Sequence, residues 1–577
     1  MTQAAQLDRR PAAETGKRRG RRSRLAVASA ILGSAVVLSL AFPLWRLAGV
    51  LVTGDKAAAS PVREALQLPG LTDVLRNTAV LVALGGLGAM LVGSTLAWLN
   101  ERTDAHLGWF STILPVLGLL VPPVAAAIGW VMLLSPRAGL LNAAIRGAFG
   151  STDGEGPLNI FSWPGLVFLY VLELTPFVYV VMSAALRNID SALEEASRMS
   201  GAGPFQTLWR VTLPAIRPAL AASGLLVTTM GLAMFSVPSI IGGGARVPVL
   251  STEILHLLRN QYPPRTSLAV VLSCIMLFVI VVAWGLQSWI ARTSRTAAIG
   301  GKGVGANRVV LGRWRLPARV MIAAFILLTT ALPVLALAMV SLQRFWSAHY
   351  RFDRLTSYNF QAVLVGNATT QSAILNSLVL GLLTATVAMA IAWVLAFSNS
   401  QRASVFSRAI DSVVKLPAGI SHLVLGVSLL LAYGGAPFHL GGSLAILLLA
   451  YVLAYLPQGS IASGSAVSQV HPSLLEASRV SGAGEWRSLR TVAVPLMLPS
   501  IAAGWAMMFV FAFGDLTLSV LLSSPRSPTA GYMLLNLYDA GTFPLIAALG
   551  LTLTAVCALV VTAVLRLSRT RYARGRG

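Results

Sequence analysis

Charged side chains are scarce in this chain of 577 residues. Asp, Glu, Lys and Arg make up 11% of the chain, whereas 56% of its residues are apolar. An average soluble protein carries roughly 25% charged residues, so this composition excludes an ordinary soluble enzyme. A disordered basic chain would lack the apolar content, and a nucleic-acid-binding protein would not need so much of it. The class that remains is a polytopic membrane protein.

Cysteine and histidine are also rare. The two cysteines, Cys274 and Cys557, lie in apolar runs and cannot build a disulfide framework. The six histidines are scattered without the spacing of metal ligands, and the sequence contains no Walker A pattern for binding nucleotide phosphates. We therefore expect no metal site, no catalytic residue and no ATPase site in this chain.

Apolar runs are abundant, and twelve of them reach the length of about 20 residues that a transmembrane helix needs. The runs are residues 25–47, 77–99, 110–134, 160–186, 218–243, 268–291, 319–343, 372–397, 413–433, 443–465, 497–523 and 544–566. The sequence thus predicts an all-α polytopic membrane protein with twelve transmembrane helices.

The runs also define the predicted domain organisation, because they divide six and six around a basic stretch that contains several glycines. A basic tail (1–24) precedes the first six-helix domain (25–291). A basic linker (292–318) leads to the second six-helix domain (319–566), and a short basic tail (567–577) follows.

The distribution of Lys and Arg predicts the orientation in the membrane. If the N-terminus is inside, 30 of the 44 basic residues lie in cytoplasmic segments and 11 lie in outer loops. Cytoplasmic loops carry the excess of positive charge in membrane proteins, so both termini are predicted to be cytoplasmic. The net charge of +24 is then a topology signal. The same basic residues are expected to contact anionic membrane lipids, whereas nucleic-acid binding is not expected.

Six spans in each half is an even number, so the two halves have the same orientation and form a parallel repeat. A repeated segment between the fourth and fifth runs of each half supports this arrangement. Residues 195–218 and 476–499 are identical at 12 of 24 positions without a gap. Unrelated segments share far fewer residues, so gene duplication is the economical explanation.

The repeated segments are polar and have the features of a short helix with a break. Gly201 and Gly482 are predicted to end the helix, since glycine readily adopts the positive φ of a helix C-terminus. Capping-box spacing occurs at the start of both copies, in Ser191…Glu194 and Ser473…Glu476.

This pattern resembles the EAA loop of ATP-binding-cassette importer permeases, which has an EAA triplet, a glycine six residues after the Glu and a final proline. Both copies carry Ser at the third place of the triplet. In that family the loop forms a coupling helix that docks into a cleft of the ATPase subunit. The resemblance implies a coupling role for Glu195, Ala196, Ser197, Gly201, Ala202, Leu213 and Pro214, and for Glu476, Ala477, Ser478, Gly482, Ala483, Val494 and Pro495.

The fused twelve-helix form resembles a narrower group that moves ferric iron, thiamine, or phosphonates such as 2-aminoethylphosphonate. Residues 235–243, 248–254 and 263–264 are similar to its ferric-iron branch. The resemblance implies a permease subunit of an importer in the bacterial plasma membrane, with ferric iron as the first candidate substrate. It also implies two ATPase subunits that bind ATP and Mg²⁺, and an extracytoplasmic substrate-binding protein. No cofactor is implied for this chain.

Only two of the 20 acidic residues lie well inside a predicted span, Glu173 in the fourth and Asp515 in the eleventh. A carboxylate at membrane depth is costly unless it faces a wet cavity or a partner. These acids and Pro238 are candidates for the translocation path, and an interhelical hydrogen bond is the alternative role for the acids. An ion-coupled secondary transporter remains the alternative function, although such carriers usually use several intramembrane acids.

Overall fold

The computed structural model describes residues 24–53, 61–108, 118–149, 154–293, 308–347, 350, 352–401 and 405–574. The glycine cluster of the predicted linker lies outside these residues. Within them the regular structure is helical, with two isolated bridges, Thr103 with Val309 and Ser524 with Ser527. The predicted all-α polytopic class is confirmed.

The two halves contain similar series of helices, although among the described residues Leu140–Ala148 has no counterpart in the second half and Val405–Lys415 has none in the first. Those of the first half are Arg24–Thr53, Pro61–Leu66, Leu71–Arg102, Pro123–Leu134, Leu140–Ala148, Trp163–Arg187, Ser191–Met199, Pro204–Ala215, Arg217–Ala233, Pro238–Gly242, Leu250–Arg259 and Thr266–Thr293. Those of the second half are Gly312–Ser341, Tyr358–Gln361, Ala368–Gln401, Val405–Lys415, His422–Tyr433, Leu444–Ser468, Pro472–Val480, Leu489–Phe513, Thr517–Leu522, Ala530–Asp539 and Phe543–Arg574.

Nine of the described helices are long and apolar enough to cross a membrane, or eleven if each of two bent pairs is one span. The pair Pro204–Ala215 and Arg217–Ala233 is bent by 71°, and the pair Ser407–Gly419 and His422–Tyr433 by 108°. The predicted run 110–134 lies partly outside the described residues. The count of twelve and the position of the termini therefore stay predictions.

Several predicted runs are not single helices. The run 218–243 is interrupted after Ala233, the run 413–433 before His422 and the run 497–523 after Phe513. The described part of the run 110–134 begins a new helix at Pro123. Proline or glycine occurs at or beside each break, and proline lacks the N–H that would continue the hydrogen bonds of a helix. The apolar composition continues through the breaks, which explains why it predicted continuous helices.

Matching polar contacts hold equivalent loops in the two halves. The Asn77 side-chain amide donates to the Pro248 carbonyl at 3.2 Å. In the second half, the Asn376 amide donates to the Pro528 carbonyl at 2.9 Å. Each contact fixes the loop that precedes a short helix, Leu250–Arg259 or Ala530–Asp539. The repeat predicted from the paired loops thus extends to tertiary contacts.

The first helix of each half packs on the opposite half. The helix Arg24–Thr53 lies against His422–Tyr433, where the rings of Phe42 and Tyr433 meet edge to face at 5.6 Å. The segment Leu332–Ser341 lies against Pro123–Leu134 in the same way. This exchange interlocks the two halves and places the interrupted spans along the interface between them.

Candidate functional site

The two predicted coupling segments have the same local fold. The helix Ser191–Met199 is followed by Gly201 at φ 82°, and the helix Pro472–Val480 by Gly482 at φ 82°. A residue with a Cβ is strained at this φ, so glycine is required at both places. The predicted glycine breaks are confirmed.

The serines that replace the third alanine of the triplet make the same contact in both copies. The hydroxyls of Ser197 and Thr207 are hydrogen-bonded at 3.2 Å. Those of Ser478 and Ser488 are hydrogen-bonded at 2.8 Å. The bond ties the short helix to the segment after the glycine, so serine closes the loop where alanine would have no hydroxyl.

The predicted capping boxes are wrong in both copies. Ser191 is already helical, and Asp190 caps its helix by accepting a backbone N–H at 3.0 Å. In the second copy His471 Nδ1 accepts the N–H of Ser473 at 3.3 Å, and the helix begins at Pro472. In each case the residue just upstream supplies the acceptor, which the spacing of Ser and Glu does not reveal.

Apolar side chains are exposed beside the triplets, at matching positions of the two loops. Met199 is 90% exposed and Val480 is 89% exposed. Leu193 and Leu474 are also exposed. Exposed apolar groups clustered with polar neighbours are typical of a protein interface. Glu195 is half-buried and Glu476 is exposed, so both glutamates of the predicted coupling loops reach this surface.

A buried ion pair fastens the first loop to the membrane domain. Glu194, the residue before the triplet, is 3% exposed and lies 3.3 Å from the guanidinium of Arg102. Its carboxylate also accepts a hydrogen bond from the Thr212 hydroxyl at 2.7 Å. Arg102 in turn donates to the carbonyls of Leu186 and Ile189 at 2.6 and 3.2 Å. These bonds offset much of the cost of burying both charges.

The second loop has no equivalent of this pair, because the positions of Glu194 and Thr212 are taken by Leu475 and Ala493. The pair is not apparent from the sequence. Glu194 lies beside the triplet, but its partner Arg102 is 92 positions away and no local pattern joins them.

The segment that joins the two halves binds to the same place. Val309 N–H donates to the Arg102 carbonyl at 2.8 Å, and Asp104 N–H donates to the Val309 carbonyl at 3.1 Å. Arg308 contacts His106, and burial together with this positive charge holds the pKa of His106 below its usual range. The end of the linker and the first predicted coupling loop are therefore joined through one residue, Arg102.

A cavity of about 230 Å³ lies between the two halves. Breaks of four interrupted spans line it, namely Pro123 and residues 234–237, 417–422 and 514–517. Interrupted helices in transporters present backbone groups and helix ends to a substrate, so this position is typical of a translocation path.

Both candidate acids lie at this cavity. Glu173 comes from the helix Trp163–Arg187. Asp515 was predicted to lie inside a helix, but it lies in the break after Phe513. His422 and Tyr455 join them, although the sequence analysis assigned these two residues no role. Each is a polar residue inside a predicted apolar run, which was the available signal.

Asp515 is 7% exposed and has hydrogen bonds on both carboxylate oxygens. Its Oδ1 accepts the backbone N–H groups of Leu518 and Ser519 at 2.7 and 3.3 Å, which caps the helix Thr517–Leu522. Its Oδ2 accepts the Tyr455 hydroxyl at 2.7 Å and lies 3.5 Å from His422 Nδ1. A place on the translocation path and an interhelical hydrogen bond were the alternative roles predicted for Asp515 from the sequence. In the structure Asp515 both lines the cavity and makes such a hydrogen bond.

Glu173 differs from Asp515 in its surroundings. It is half-buried, and it lines both the central cavity and a neighbouring one of about 30 Å³. Among the described residues, no group of three or more His, Cys, Asp or Glu side chains is close enough to hold a metal ion.

Pro238 lies apart from the two acids. It lines a second cavity of about 590 Å³, beyond the end of the helix Arg217–Ala233. Arg246, Glu253, Arg259 and Asp539 also line this cavity. Burial raises the pKa of Asp539, although the charge of Arg259 opposes the shift.

Comparison with known proteins gives matches in both halves. Residues 85–296 and 388–574 match the family described as binding-protein-dependent transport system inner membrane component. The family occurs twice in the chain, once in each half, so the predicted fused duplication is confirmed.

Curated relatives cover most of the chain or one half of it. A putative ferric transport system permease protein FbpB 1 of Haemophilus influenzae is 23% identical, over 81% of this chain and 73% of that protein. The ferric transport system permease protein FbpB of Actinobacillus pleuropneumoniae is 22% identical, over 88% and 73%. The sulfate transport system permease protein CysW of Escherichia coli is 26% identical, over 40% and 77%.

One solved structure is a bacterial ABC transporter involved in the import of the acidic polysaccharide alginate. It is 17% identical and covers 45% of this chain and 97% of the matched chain, with a TM-score of 0.38. A likeness at this level supports no conclusion about this chain.

The buried pair predicts a large stability effect for Arg102→Met. Removing the guanidinium leaves the Glu194 carboxylate buried without its nearest cation, which costs about 3–5 kcal/mol of unfolding free energy. The measurement is unfolding of the purified protein by SDS titration in mild detergent. The double variant Arg102→Met/Glu194→Leu, with the leucine found at Leu475, should lose less.

The matched control is Arg137→Met, because the Arg137–Glu155 pair at 3.2 Å has both side chains exposed. Exposed pairs contribute little, so this variant should unfold like the wild type. An Arg102→Met protein as stable as the control would contradict the role given to the pair.

Proposed function

Because the chain belongs to the family of binding-protein-dependent transport system inner membrane components, we propose that it is the fused permease subunit of an ATP-driven ferric iron importer. The observation that carries this proposal is the central cavity, which is lined by four interrupted spans and by Glu173 and Asp515. It lies between two halves that each carry a coupling loop. An ion-coupled secondary transporter is disfavoured by the family.

The energy for transport comes from partner subunits in this proposal. Two ATPase subunits bind ATP and Mg²⁺ at their own sites and dock on the two loops, with Glu195 and Glu476 as anchors. Gly201 and Gly482 give each loop its bend, and the exposed Met199 extends the contact. ATP binding shifts the equilibrium between inward-open and outward-open states because the partners bind one state better.

We infer the membrane arrangement from the coupling role proposed for the loops. Both coupling loops and both termini face the cytoplasm, and twelve spans cross the bacterial inner membrane. The cavity that includes Pro238 and Glu253 then opens toward the outside, where a substrate-binding protein delivers its cargo. From there the path leads past the break 234–237 to the central cavity.

The lining of the central cavity supports a cationic cargo. Its described lining includes Glu173 and Asp515 and contains no Lys or Arg. Carboxylate oxygens suit hard cations, and an anionic phosphonate would lack a positive partner there. Two relatives are named as ferric transport permeases, and ferric iron is therefore the proposed cargo. Thiamine, which is also a cation, and 2-aminoethylphosphonate are the alternatives that uptake assays separate.

Charge reversal of the two anchors, Glu195→Arg with Glu476→Arg, should abolish association with the ATPase. The introduced arginines carry the opposite charge and do not fit the ATPase cleft that accepts the glutamates. Insertion of the permease into the membrane should stay normal. The measurement is co-purification of the ATPase with the tagged permease. Asp353→Arg is the control, since this exposed acid lies in a predicted outer loop. Normal co-purification of the double variant would count against the docking role.

Uptake in cells tests the cargo. A strain that lacks this gene and other ferric importers should take up at least ten-fold less radiolabelled ferric iron at limiting concentration. The wild-type gene should restore uptake, and the doubly charge-reversed gene should not. Thiamine and 2-aminoethylphosphonate uptake are measured in parallel. Unchanged iron uptake with a deficit in either of these would reassign the cargo.

A further inference from the structure

Three polar side chains of the second half converge on one edge of the central cavity. The Asp515 Oδ2 atom lies 2.7 Å from the Tyr455 hydroxyl oxygen and 3.5 Å from His422 Nδ1. All three residues line the cavity. They come from three different elements, the break after Phe513 and the helices Leu444–Ser468 and His422–Tyr433.

The spacing of these atoms fits adjacent ligands of one small cation. In an octahedral site with metal–oxygen distances of about 2.0 Å, neighbouring ligand atoms are about 2.8 Å apart. The separation of Tyr455 and Asp515 is 2.7 Å, close to that value. The Nδ1 atom of His422 is less than 1 Å farther from Asp515 Oδ2 than this ligand spacing. The imidazole is partly exposed, so a small rotation would bring Nδ1 into the position of a third ligand.

The Asp515 carboxylate is held in place through Oδ1, whereas Oδ2 is the atom that faces Tyr455 and His422. The Asp515 Oδ1 atom is fixed by the N–H groups of Leu518 and Ser519 at 2.7 and 3.3 Å. A ligand that replaces the Tyr455 proton at Oδ2 would leave this cap intact. The site is therefore built to exchange its partner at Oδ2 while its backbone stays fixed.

The fold itself does not require these polar residues. Their counterparts in the first half are Leu174, Met234 and Pro123, and all three line the same cavity. Leu174 is the twelfth residue of its helix, as Tyr455 is of its own, and Pro123 and His422 each begin a helix after a break. The same architecture is thus built with apolar side chains, and burying a carboxylate and a phenol there needs another reason.

We propose that Asp515, Tyr455 and His422 bind the ferric ion directly as it crosses the cavity. This inference rests on the proposed function, because it takes the cargo from it. On binding, the O–H bond of Tyr455 breaks, an oxygen–iron bond forms and the proton passes to water, with no change in oxidation state. Carboxylate, phenolate and neutral imidazole supply two anionic oxygens and one nitrogen, a donor set suited to a hard cation. Glu173 lines the same cavity and places a second carboxyl group there.

A phenolate bound to Fe³⁺ gives a visible charge-transfer absorption, which provides a direct readout. Ferric nitrilotriacetate is titrated into the purified permease–ATPase complex in lipid nanodiscs, and the visible difference spectrum is recorded. The wild type should develop a saturable band, and Tyr455→Phe should lose it. Tyr451→Phe is the matched control, because Tyr451 is buried one turn away and bonds to Ser519 instead of Asp515.

Asp515→Asn tests the carboxylate without removing the cap. The asparagine oxygen still accepts from Leu518 and Ser519, so the helix Thr517–Leu522 should form normally, whereas the negative charge is gone. We expect at least ten-fold weaker binding of ferric nitrilotriacetate, measured from the same band. Iron uptake in cells should fall by a similar factor, with normal co-purification of the ATPase.

Two results would overturn the inference. One is a saturable band that persists in Tyr455→Phe, and the other is the absence of any band in the wild type. If the wild type shows no band while cells still depend on this gene for ferric iron uptake, the direct site is wrong and the proposed function stands. Loss of the gene without any effect on iron uptake would instead remove the proposed function.

Discussion

The hydrogen bonding of backbone groups inside a membrane constrains this structure more than any other interaction. An apolar environment offers no water to an open helix end, so breaks in spanning helices occur only where protein or a wet cavity serves the freed groups. Here the breaks of four spans meet at one cavity between the halves. Asp515 shows how a break is accommodated, because its carboxylate receives the first N–H groups of the next helix. The cavity, the Asp515 carboxylate and the interrupted spans therefore depend on one another.

The two halves share a plan but differ in how their predicted coupling loops are held. Each half places its first helix on the other, which keeps the interrupted spans together. The first coupling loop is fastened through Glu194 to Arg102, whose backbone also binds Val309 at the end of the linker. The second loop has Leu475 in place of the glutamate. The first loop is thus linked both to the helix Leu71–Arg102 and to the connection between the halves.

The sequence predicted what depends on local pattern and missed what depends on distant contacts. The glycine breaks at Gly201 and Gly482 were predictable because a short polar segment recurs with glycine at one place. The capping boxes were wrong because the residues upstream, Asp190 and His471, accept the N–H groups instead. The interruptions were missed because apolar residues continue through them. The contact of Tyr455 with Asp515 spans 60 positions, so no local spacing predicts it.

Alternating exposure of the central cavity is the claim on which this account depends, and a single cysteine tests it. Ser236 lines the cavity at a break, and Ser236→Cys changes its size little. With Cys274 and Cys557 replaced by serine, the complex is reconstituted and labelled with a membrane-impermeant thiol reagent from each side. The reactive side should switch when ATP is bound without hydrolysis. Labelling from the same side in both states would contradict the account.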